Sequence, residues 1–189
     1  MTLRIIAGEY KGRLLKSPKT DKTRPTSGIL RKSVFDICRP WIEGASFLDL
    51  FAGSGAMGIE ALSRGATHAT FIDSEKRAFL CIQDNLRALK LEKQADLLLG
   101  DAKKMLERLE KLKKRFSMIY IDPPYGENNF NLDILTFLDT AMLASGAHLF
   151  IEEAFPSLIK EQKIVFQNLR HIDTRQFGRS LLHQYLRPS

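Results

Sequence analysis

Short apolar runs and longer segments with apolar residues at helical spacing alternate along the chain from residue 47 onward. The apolar runs predict buried strands at 47–51, 69–72, 96–99, 117–121 and 147–152. The intervening segments predict helices at 56–64, 75–89, 102–114 and 132–143. This alternation is typical of right-handed βαβ units, so we expect a parallel sheet with helices on both faces.

The C-terminal part of the chain departs from this alternation. Residues 163–172 and 180–187 predict two strands that are joined by a turn at Gly178. The connection is too short for a helical crossover, so the two strands are expected to run antiparallel. We therefore predict a doubly wound α/β sheet of seven strands that ends in an antiparallel C-terminal hairpin.

The first 40 residues predict a small, strongly basic extension. A β-hairpin is expected over residues 4–15, and apolar spacing predicts a helix over 28–39 that ends before Pro40. Residues 1–40 carry ten basic and three acidic residues, whereas residues 41–189 carry 19 of each, so the extension holds the whole net charge of +7. This concentration indicates a polyanion-binding extension on an electrically neutral domain. A solvated, charged surface is an equally open alternative.

Length and composition narrow the class of protein. The apolar runs are far shorter than the roughly 18 residues that a membrane-spanning helix needs, and the N-terminus lacks the apolar core of a secretory signal. Cys38 and Cys81 have no neighbours at metal-ligand spacing, and the four histidines are scattered. We therefore expect a cytoplasmic monomer with one compact domain, no metal site and no membrane partner.

A glycine-rich loop directly follows the first strand of the predicted sheet. Gly53-Ser54-Gly55-Ala56-Met57-Gly58 opens a helix there. Gly53 and Gly55 allow a ligand to approach the backbone closely, and Gly58 allows the helix to pack close to the sheet. Asp73 and Asp101 end the next two strands, where they can hold a ribose and an adenine edge. The pattern indicates an adenosine-containing cofactor, either a dinucleotide or S-adenosylmethionine, although both acids could instead cap the following helices. Asp49 lies within an apolar strand and must find donors in the loop or in a cationic ligand.

Strand 117–121 runs into Asp122-Pro123-Pro124-Tyr125, a corner that suits one class of reaction. Prolines fix an extended backbone and carry no amide hydrogen, so the carbonyls here act only as acceptors. The Asp122 carboxylate and the Pro123 carbonyl can hold both hydrogens of an aryl amine and direct its lone pair at a methyl group. Tyr125 offers a face on which a base can stack. Hydride transfer has no use for this corner, so it favours S-adenosylmethionine; an ordinary strand-to-loop turn is the alternative.

The chain closely resembles, over nearly its whole length, the bacterial methyltransferases that modify the 2-amino group of one guanine in small-subunit ribosomal RNA. The motifs that carry the resemblance are Asp49-Leu50-Phe51-Ala52-Gly53-Ser54-Gly55, Glu60-Ala61-Leu62-Ser63-Arg64-Gly65-Ala66, Asp122-Pro123-Pro124-Tyr125 and Arg24-Pro25-Thr26. The resemblance implies a seven-stranded, Rossmann-like methyltransferase fold with S-adenosylmethionine as the cofactor. One departure is Lys32, which follows Arg31 where the family usually has Glu.

The resemblance also implies roles for individual residues. The implied cofactor-binding residues are Asp49, Phe51, Ala52, Gly53, Ser54, Gly55, Asp73, Asp101 and Ala102. The implied catalytic residues are Asp122, Pro123, Pro124 and Tyr125. The implied RNA-binding residues of the extension are Arg4, Lys11, Arg13, Arg24 and Arg31. The implied partner is ribosomal RNA, alone or within a small ribosomal subunit or an assembly intermediate, bound by extension 1–40 and modified by domain 41–189.

Several interpretations remain open at this point. The same corner would serve another exocyclic amine, such as that of adenine in DNA or of a base in another RNA. A non-catalytic RNA-binding assembly factor could keep the fold without the reaction. Seven basic residues over 103–115 are interpreted as the solvated face of an amphipathic helix rather than as a second RNA surface. Glu152 and Glu153 end the fifth predicted strand on opposite faces, so at most one of them faces the active crevice.

Overall fold

A seven-stranded sheet with helices against both faces forms the centre of the computed structural model, which describes residues 3–18, 28–123, 132–156, 159 and 165–189. The strands are β1 (Leu3–Arg4), β2 (Leu14–Leu15), β3 (Ser46–Leu50), β4 (His68–Asp73), β5 (Ala95–Leu99), β6 (Phe116–Ile121), β7 (Leu143–Ala154), β8 (Arg170–Phe177) and β9 (Ser180–Leu186). The helices are α1 (Gly28–Cys38), α2 (Ala56–Ser63), α3 (Lys76–Leu89), α4 (Ala102–Lys111) and α5 (Leu132–Phe137). None of the described helices is long and apolar enough to cross a membrane.

The order of the strands creates a reversal at the middle of the sheet. The order is β5-β4-β3-β6-β7-β9-β8; strands β3 to β7 are parallel, and β9 runs antiparallel to both β7 and β8. The chain therefore builds outward in one direction from β3 and in the other direction from β6. Ligands bind at such a reversal in open α/β sheets, because the connections on its two sides diverge. The predicted doubly wound sheet with an antiparallel hairpin is confirmed, as is the separate β1–β2 hairpin.

Two predicted elements differ from the structure. The strand predicted at 163–172 is wrong, because β8 begins only at Arg170 and the apolar Val165 and Phe166 lie outside any strand. Strand β8 is an edge strand with a mostly exposed, polar surface, so apolar residues do not mark it. The α-helix predicted at 132–143 is shorter in the structure, where α5 ends at Phe137. A π-helix, Leu138–Met142, follows it, and β7 begins at Leu143.

Residues of the central strands alternate between two hydrophobic cores, one on each face of the sheet. The first core packs Phe47, Phe71, Tyr120 and Phe150 against α1, α2 and α3. The second core packs Leu48, Leu50, Ile119, Ile121 and Ile151 against α4 and α5. Because both faces are covered, the central parallel strands are mostly apolar, which is why their sequences are nearly continuous apolar runs.

The N-terminal extension is part of the first core. Ile5, Leu15 and Phe35 are buried in it. The Glu60 carboxylate on α2, which is fully buried, accepts hydrogen bonds from the backbone amides of Ile6 (2.8 Å) and Ala7 (2.9 Å). The core thus continues across the predicted division at residue 40, and the extension is fixed to α2 through its main chain.

Gly58 on α2 allows the helix to lie close to the sheet, as the sequence predicts. A Cβ atom at this position would lie 2.3 Å from Cε1 of Phe71 on β4, far inside contact distance. We expect Gly58→Ala to lower the free energy of unfolding by about 1–3 kcal/mol, the usual cost of overpacking a core. Chemical denaturation measures this change.

Gly28→Ala is the matched control, because no atom of the part of the chain that the structure describes lies within 4 Å of the Cβ position at the start of α1. Its unfolding free energy is expected to stay within about 0.5 kcal/mol of wild type. Equal stability of the two variants would contradict the close approach of α2 to β4.

Candidate active site

The carboxyl ends of β3, β4, β5 and β6 meet at one edge of the sheet. Three backbone hydrogen bonds join the segments that leave these ends: Ala52 N to Ile72 O (3.1 Å), Gly100 N to Asp73 O (3.0 Å) and Asp122 N to Leu50 O (3.4 Å). The last bond places the Asp122 corner directly beside the end of β3, where the glycine loop begins. The two sites predicted separately from the sequence are therefore neighbours at the point where the sheet order reverses.

The glycine loop after β3 has an unusual backbone. Phe51 (φ 64°), Gly53 (φ 56°) and Gly55 (φ 74°) are all left-handed, a conformation that is costly for Phe51 and free of strain for the glycines. Among the described residues, no atom lies within 4 Å of the Cβ position at Gly53, whereas at Gly55 that position faces Ile82 at 3.1 Å. Gly53 therefore leaves open space for a ligand, and Gly55 permits close packing.

Asp73 at the end of β4 supports the glycine loop. Its Oδ2 accepts a hydrogen bond from the amide of Gly53 (2.7 Å), and its Oδ1 accepts one from the amide of Glu75 (2.8 Å). The side chain is half-buried, and each carboxylate oxygen can accept a second bond. The Asp73 carboxylate thus supports the loop and can still accept a hydrogen bond from a ligand hydroxyl.

Asp101 follows β5 at the same edge of the sheet. Its carboxylate accepts a hydrogen bond from the amide of Lys104 (3.1 Å) and caps α4, which is the alternative role predicted for this acid. Asp101 is exposed, and the adjacent Ala102 is buried at the first turn of α4. The cap does not preclude contact with a ligand, because one carboxylate has several acceptor positions.

Asp49 finds its donor in the first turn of α2. Its carboxylate, only 2% exposed, accepts a hydrogen bond from the amide of Gly58 (2.9 Å). Burial, with a smaller contribution from the nearby Asp73 charge, raises the pKa of Asp49 to about 8 against the opposing effect of the hydrogen bond from Gly58. A cation beside this carboxyl would favour its charged form.

Acidic residues dominate this edge and decide which cofactor chemistry fits. Asp49, Asp73, Asp101 and Asp122 all lie at the strand ends or within β3. The helix-start amide of Gly58, a group of the kind that binds phosphates, is already occupied by Asp49. The edge therefore suits a cofactor with a cationic centre better than the pyrophosphate of a dinucleotide. Among the described residues, no group of three or more His, Cys, Asp or Glu could hold a metal ion.

The proposed substrate corner is only partly described. Asp122 and Pro123 are half-buried at the end of β6, whereas Pro124 and Tyr125 lie outside the described residues. The sequence pattern did not reveal the buried hydrogen bond between Tyr120 and Glu152 on the first-core side, with an O–O distance of 2.5 Å. The signal in the sequence for this hydrogen bond is that Tyr120 and Glu152 are polar residues within otherwise apolar strands.

Glu152 and Glu153 are both buried at the end of β7. Glu152 bonds Tyr120, a residue of the first core, whereas Glu153 lies 2.6 Å from Nε2 of His183 on β9. Since α2 and its glycine loop pack against the first core, Glu152 is the acid on the side of the cofactor loop.

The basic residues of the extension divide into two groups. Arg4, Lys11 and Arg13 are exposed, and Arg24 lies outside the described residues. Arg31 is only 3% exposed: its guanidinium donates to the carbonyl of Arg4 (2.5 Å) and lies 3.9 Å from the carboxylate of Glu60. The expected RNA contact of Arg31 is corrected to a structural role, because phosphates cannot reach a side chain buried against α2.

Lys32, the residue that departs from the family pattern, lies on the exposed side of α1. Its ammonium group forms an ion pair with Asp36 one turn later (2.6 Å). Both side chains are more than half exposed, so the pair contributes little to stability. The departure therefore changes the surface of α1 and leaves the buried Arg31 contacts in place.

Comparison with known proteins identifies the family. The family model described as Conserved hypothetical protein 95 matches residues 3–186. The chain belongs to this family. Ribosomal RNA small subunit methyltransferase D of Escherichia coli is 33% identical over 150 residues, which cover 79% of this chain and 74% of that protein. YlbH of Bacillus subtilis is 41% identical over 137 residues, 72% of this chain and 74% of that one.

Solved structures support the same assignment. The structure of yhhF from Escherichia coli superposes with a TM-score of 0.84 at 27% identity and covers 100% of this chain and 99% of that chain. The resemblance that the sequence motifs indicate is therefore confirmed at the level of the family and of the fold.

The raised pKa of Asp49 makes the stability of the fold depend on pH. The neutral carboxyl is favoured in the folded state, so its contribution is complete below about pH 4 and is lost as the pH rises to about 8. Asp49→Asn lacks this titration. We expect the stability of the variant relative to wild type to rise by about 3–4 kcal/mol from pH 5 to pH 8. Chemical denaturation at both pH values measures the difference.

Asp84→Asn, at an exposed ion pair with Lys16, provides the control. The pKa of Asp84 is lowered by that partner, so the carboxylate stays charged from pH 5 to pH 8 and the difference from wild type should stay constant. Parallel profiles of wild type and Asp49→Asn would show that Asp49 stays charged in the fold.

Proposed function

We propose that the chain is an S-adenosylmethionine-dependent methyltransferase that modifies the exocyclic 2-amino group of a guanine in small-subunit ribosomal RNA. The observation that carries the proposal is the position of the Asp122-Pro123 corner beside the glycine loop at the reversal of the sheet. Its membership of the family and the printed name of the Escherichia coli relative support the same substrate class.

The cofactor is proposed to lie over the glycine loop and the strand-end acids. When bound, S-adenosylmethionine supplies a methyl group on a cationic sulfur. The open space at Gly53 accommodates its approach to the backbone, and Asp73 accepts from ribose hydroxyls while supporting the loop. Asp101 and Ala102 are proposed to lie along the adenine. Asp49, whose charged form a cation favours, provides electrostatic complementarity.

The substrate amine is proposed to be held by two oxygen acceptors. The lone pair of an aryl amine is delocalised into the ring, so its nitrogen is a poor nucleophile until that geometry changes. The Asp122 carboxylate and the Pro123 carbonyl accept its two hydrogens and direct the lone pair toward the methyl carbon. Pro124 stiffens the corner, and Tyr125 stacks on the extruded base. As the nitrogen–carbon bond forms and the carbon–sulfur bond breaks, the positive charge would pass from sulfur to nitrogen. The Asp122 carboxylate would stabilise that charge, and the nitrogen would then release one proton to this carboxylate or to water.

RNA binding is proposed for the exposed basic residues of extension 1–40. Arg4, Lys11, Arg13 and Arg24 would contact phosphates, while domain 41–189 carries the reaction. Arg31 is left out of this set because it is buried. The proposed substrate is ribosomal RNA, alone or within a small subunit or an assembly intermediate, bound by a monomer in the cytoplasm.

Asp122→Asn tests the role of the corner. The variant keeps the shape of the side chain but loses one charged acceptor, so we expect turnover to fall on the order of 10²-fold with cofactor affinity retained. Transfer of labelled methyl from S-adenosylmethionine to naked ribosomal RNA and to assembling small subunits measures turnover.

Asp96→Asn is the control, because Asp96 lies near the amino end of β5, away from the carboxyl ends that form the site, and pairs there with His68 and Lys114. Its turnover should equal that of wild type. Label that appears on protein or DNA adenine, or on nothing, would overturn the proposed function, and unchanged turnover of Asp122→Asn would overturn the role of the corner.

Neutralising the extension tests the RNA surface. For each phosphate that the protein no longer neutralises, the slope of log affinity against log salt becomes shallower by about 0.7–0.9. We therefore expect the double variant Lys11→Gln/Arg13→Gln to weaken RNA binding and to reduce that slope by about 1.5, measured by fluorescence anisotropy.

The matched control, Lys111→Gln/Lys113→Gln, removes the same charge from the exposed end of α4, a helix that packs on the opposite face of the sheet. It should leave the slope unchanged. An equal effect of both double variants would show that RNA binds through net charge rather than through the extension.

A further inference from the structure

Asn85 on α3 connects the N-terminal extension with the glycine loop. This side chain is 2% exposed, and the sequence pattern does not single it out. Its Oδ1 accepts a hydrogen bond from the backbone amide of Lys16 (2.8 Å), and its Nδ2 donates to the backbone carbonyl of Lys16 (3.0 Å). The same Nδ2 donates to the carbonyl of Ser54 (3.0 Å), which lies between the two glycines of the loop. One buried amide thus holds two backbone segments that are far apart in sequence.

Only a side-chain amide satisfies this set of bonds. The group needs one acceptor for the Lys16 amide and two donors for the carbonyls of Lys16 and Ser54, which is the inventory of an asparagine. A carboxylate would place an oxygen against two carbonyl oxygens, and an apolar side chain would leave buried backbone groups without partners. The link to the extension is also independent of the Lys16 side chain, whose ammonium group pairs with Asp84 at the exposed surface.

The two segments that Asn85 joins have different proposed roles. Lys16 directly follows β2 and is three residues from Arg13, a proposed RNA contact. Ser54 lies within a loop whose neighbouring Gly53 and Gly55 both have positive φ, and the open space for the cofactor lies at Gly53. The second support of this loop is the bond from Gly53 to Asp73. The extension also contacts α2 through Glu60, but Asn85 is a direct link from the extension to a backbone carbonyl of the loop itself.

We propose that Asn85 is a positioning residue that couples RNA binding by the extension to cofactor binding by the glycine loop. The inference rests on the proposed function. RNA that orders the extension against α3 favours the paired position of Lys16, which fixes Nδ2 of Asn85 and with it the carbonyl of Ser54. A loop held in its binding shape takes up the cofactor with less loss of conformational freedom. Coupling between two binding sites is reciprocal, so the cofactor must also tighten RNA binding by the same factor.

The test measures the affinity for S-adenosylhomocysteine with and without a small-subunit ribosomal RNA transcript, by calorimetry on the full chain. The product is used so that no methyl transfer occurs during titration. In wild type we expect RNA to tighten this affinity by roughly 5- to 100-fold, the usual range of coupling. Asn85→Asp keeps the acceptor for Lys16 and removes both donors, so the ratio of the two affinities should fall to about twofold or less. A merely destabilising change would lower both affinities and leave their ratio intact.

Two further variants make the result decisive. Lys16→Pro removes the amide donor of one of the two bonds between Lys16 and Asn85 and leaves the bond to Ser54 in place, so the ratio of the two affinities should fall below that of wild type. This variant decides the question if Asn85→Asp does not fold in thermal melts. Asp84→Asn is the matched control, since it removes the surface ion pair beside the same segment without contacting the loop. Its coupling should equal that of wild type.

The outcomes separate the inference from the proposed function. Wild type that binds neither S-adenosylhomocysteine nor RNA would overturn both. Wild type that binds both ligands without any change in affinity would overturn the coupling and leave the proposed function standing. A third outcome concerns Asn85 alone. If Asn85→Asp folds and RNA still tightens its affinity for S-adenosylhomocysteine as much as in wild type, the extension and the loop communicate by another route and the role of Asn85 is overturned. If Asn85→Asp does not fold, the same result in Lys16→Pro has the same meaning.

Discussion

The reversal of strand order between β3 and β6 is the constraint on which the rest of the structure depends. The chain leaving β3 enters α2 on the first-core face, and the chain leaving β6 leads to α5 on the second-core face. Two adjacent strands whose connections separate in this way leave a crevice that no side chain of the sheet can fill. The glycine loop and the Asp122 corner lie there because each directly follows one of these two strands. Their proximity is a property of topology rather than of either motif.

Much of this arrangement could be predicted from the sequence, because the signals are local. Continuous apolar runs mark strands buried on both faces, and a glycine loop or a proline pair after such a run marks a strand end. Two exceptions depend on distant contacts. Arg31 lies among apolar residues of α1, and its burial depends on Glu60 on another helix, which local charge patterns do not show. Asn85 is not singled out for the same reason, since its partners Lys16 and Ser54 are remote in the sequence. The start of strand β8 was misplaced for a different reason: β8 is an exposed edge strand, so no apolar run marks it.

Charge is separated within the molecule in a way that suits the proposed substrate. The exposed residues of the extension are basic, whereas the strand ends at the candidate site carry carboxylates. A polyanionic backbone is attracted to the first surface and repelled by the second, so an extruded neutral base enters the crevice more readily than a phosphate. The same carboxylates favour a cationic cofactor. Binding and reaction would thus be directed to different surfaces by electrostatics before any specific contact forms.

The carboxylate of Glu60 has a consequence for how the extension can vary. It holds the main-chain amides of Ile6 and Ala7, not their side chains. The anchor therefore does not depend on which side chains the hairpin displays, and surface residues such as Lys11 can be exchanged without loosening it. Removal of the whole segment is a different matter, because it would leave a buried carboxylate and a buried guanidinium short of partners. The exposed side chains of the hairpin can thus be exchanged, but its backbone is required to satisfy the buried groups of α1 and α2.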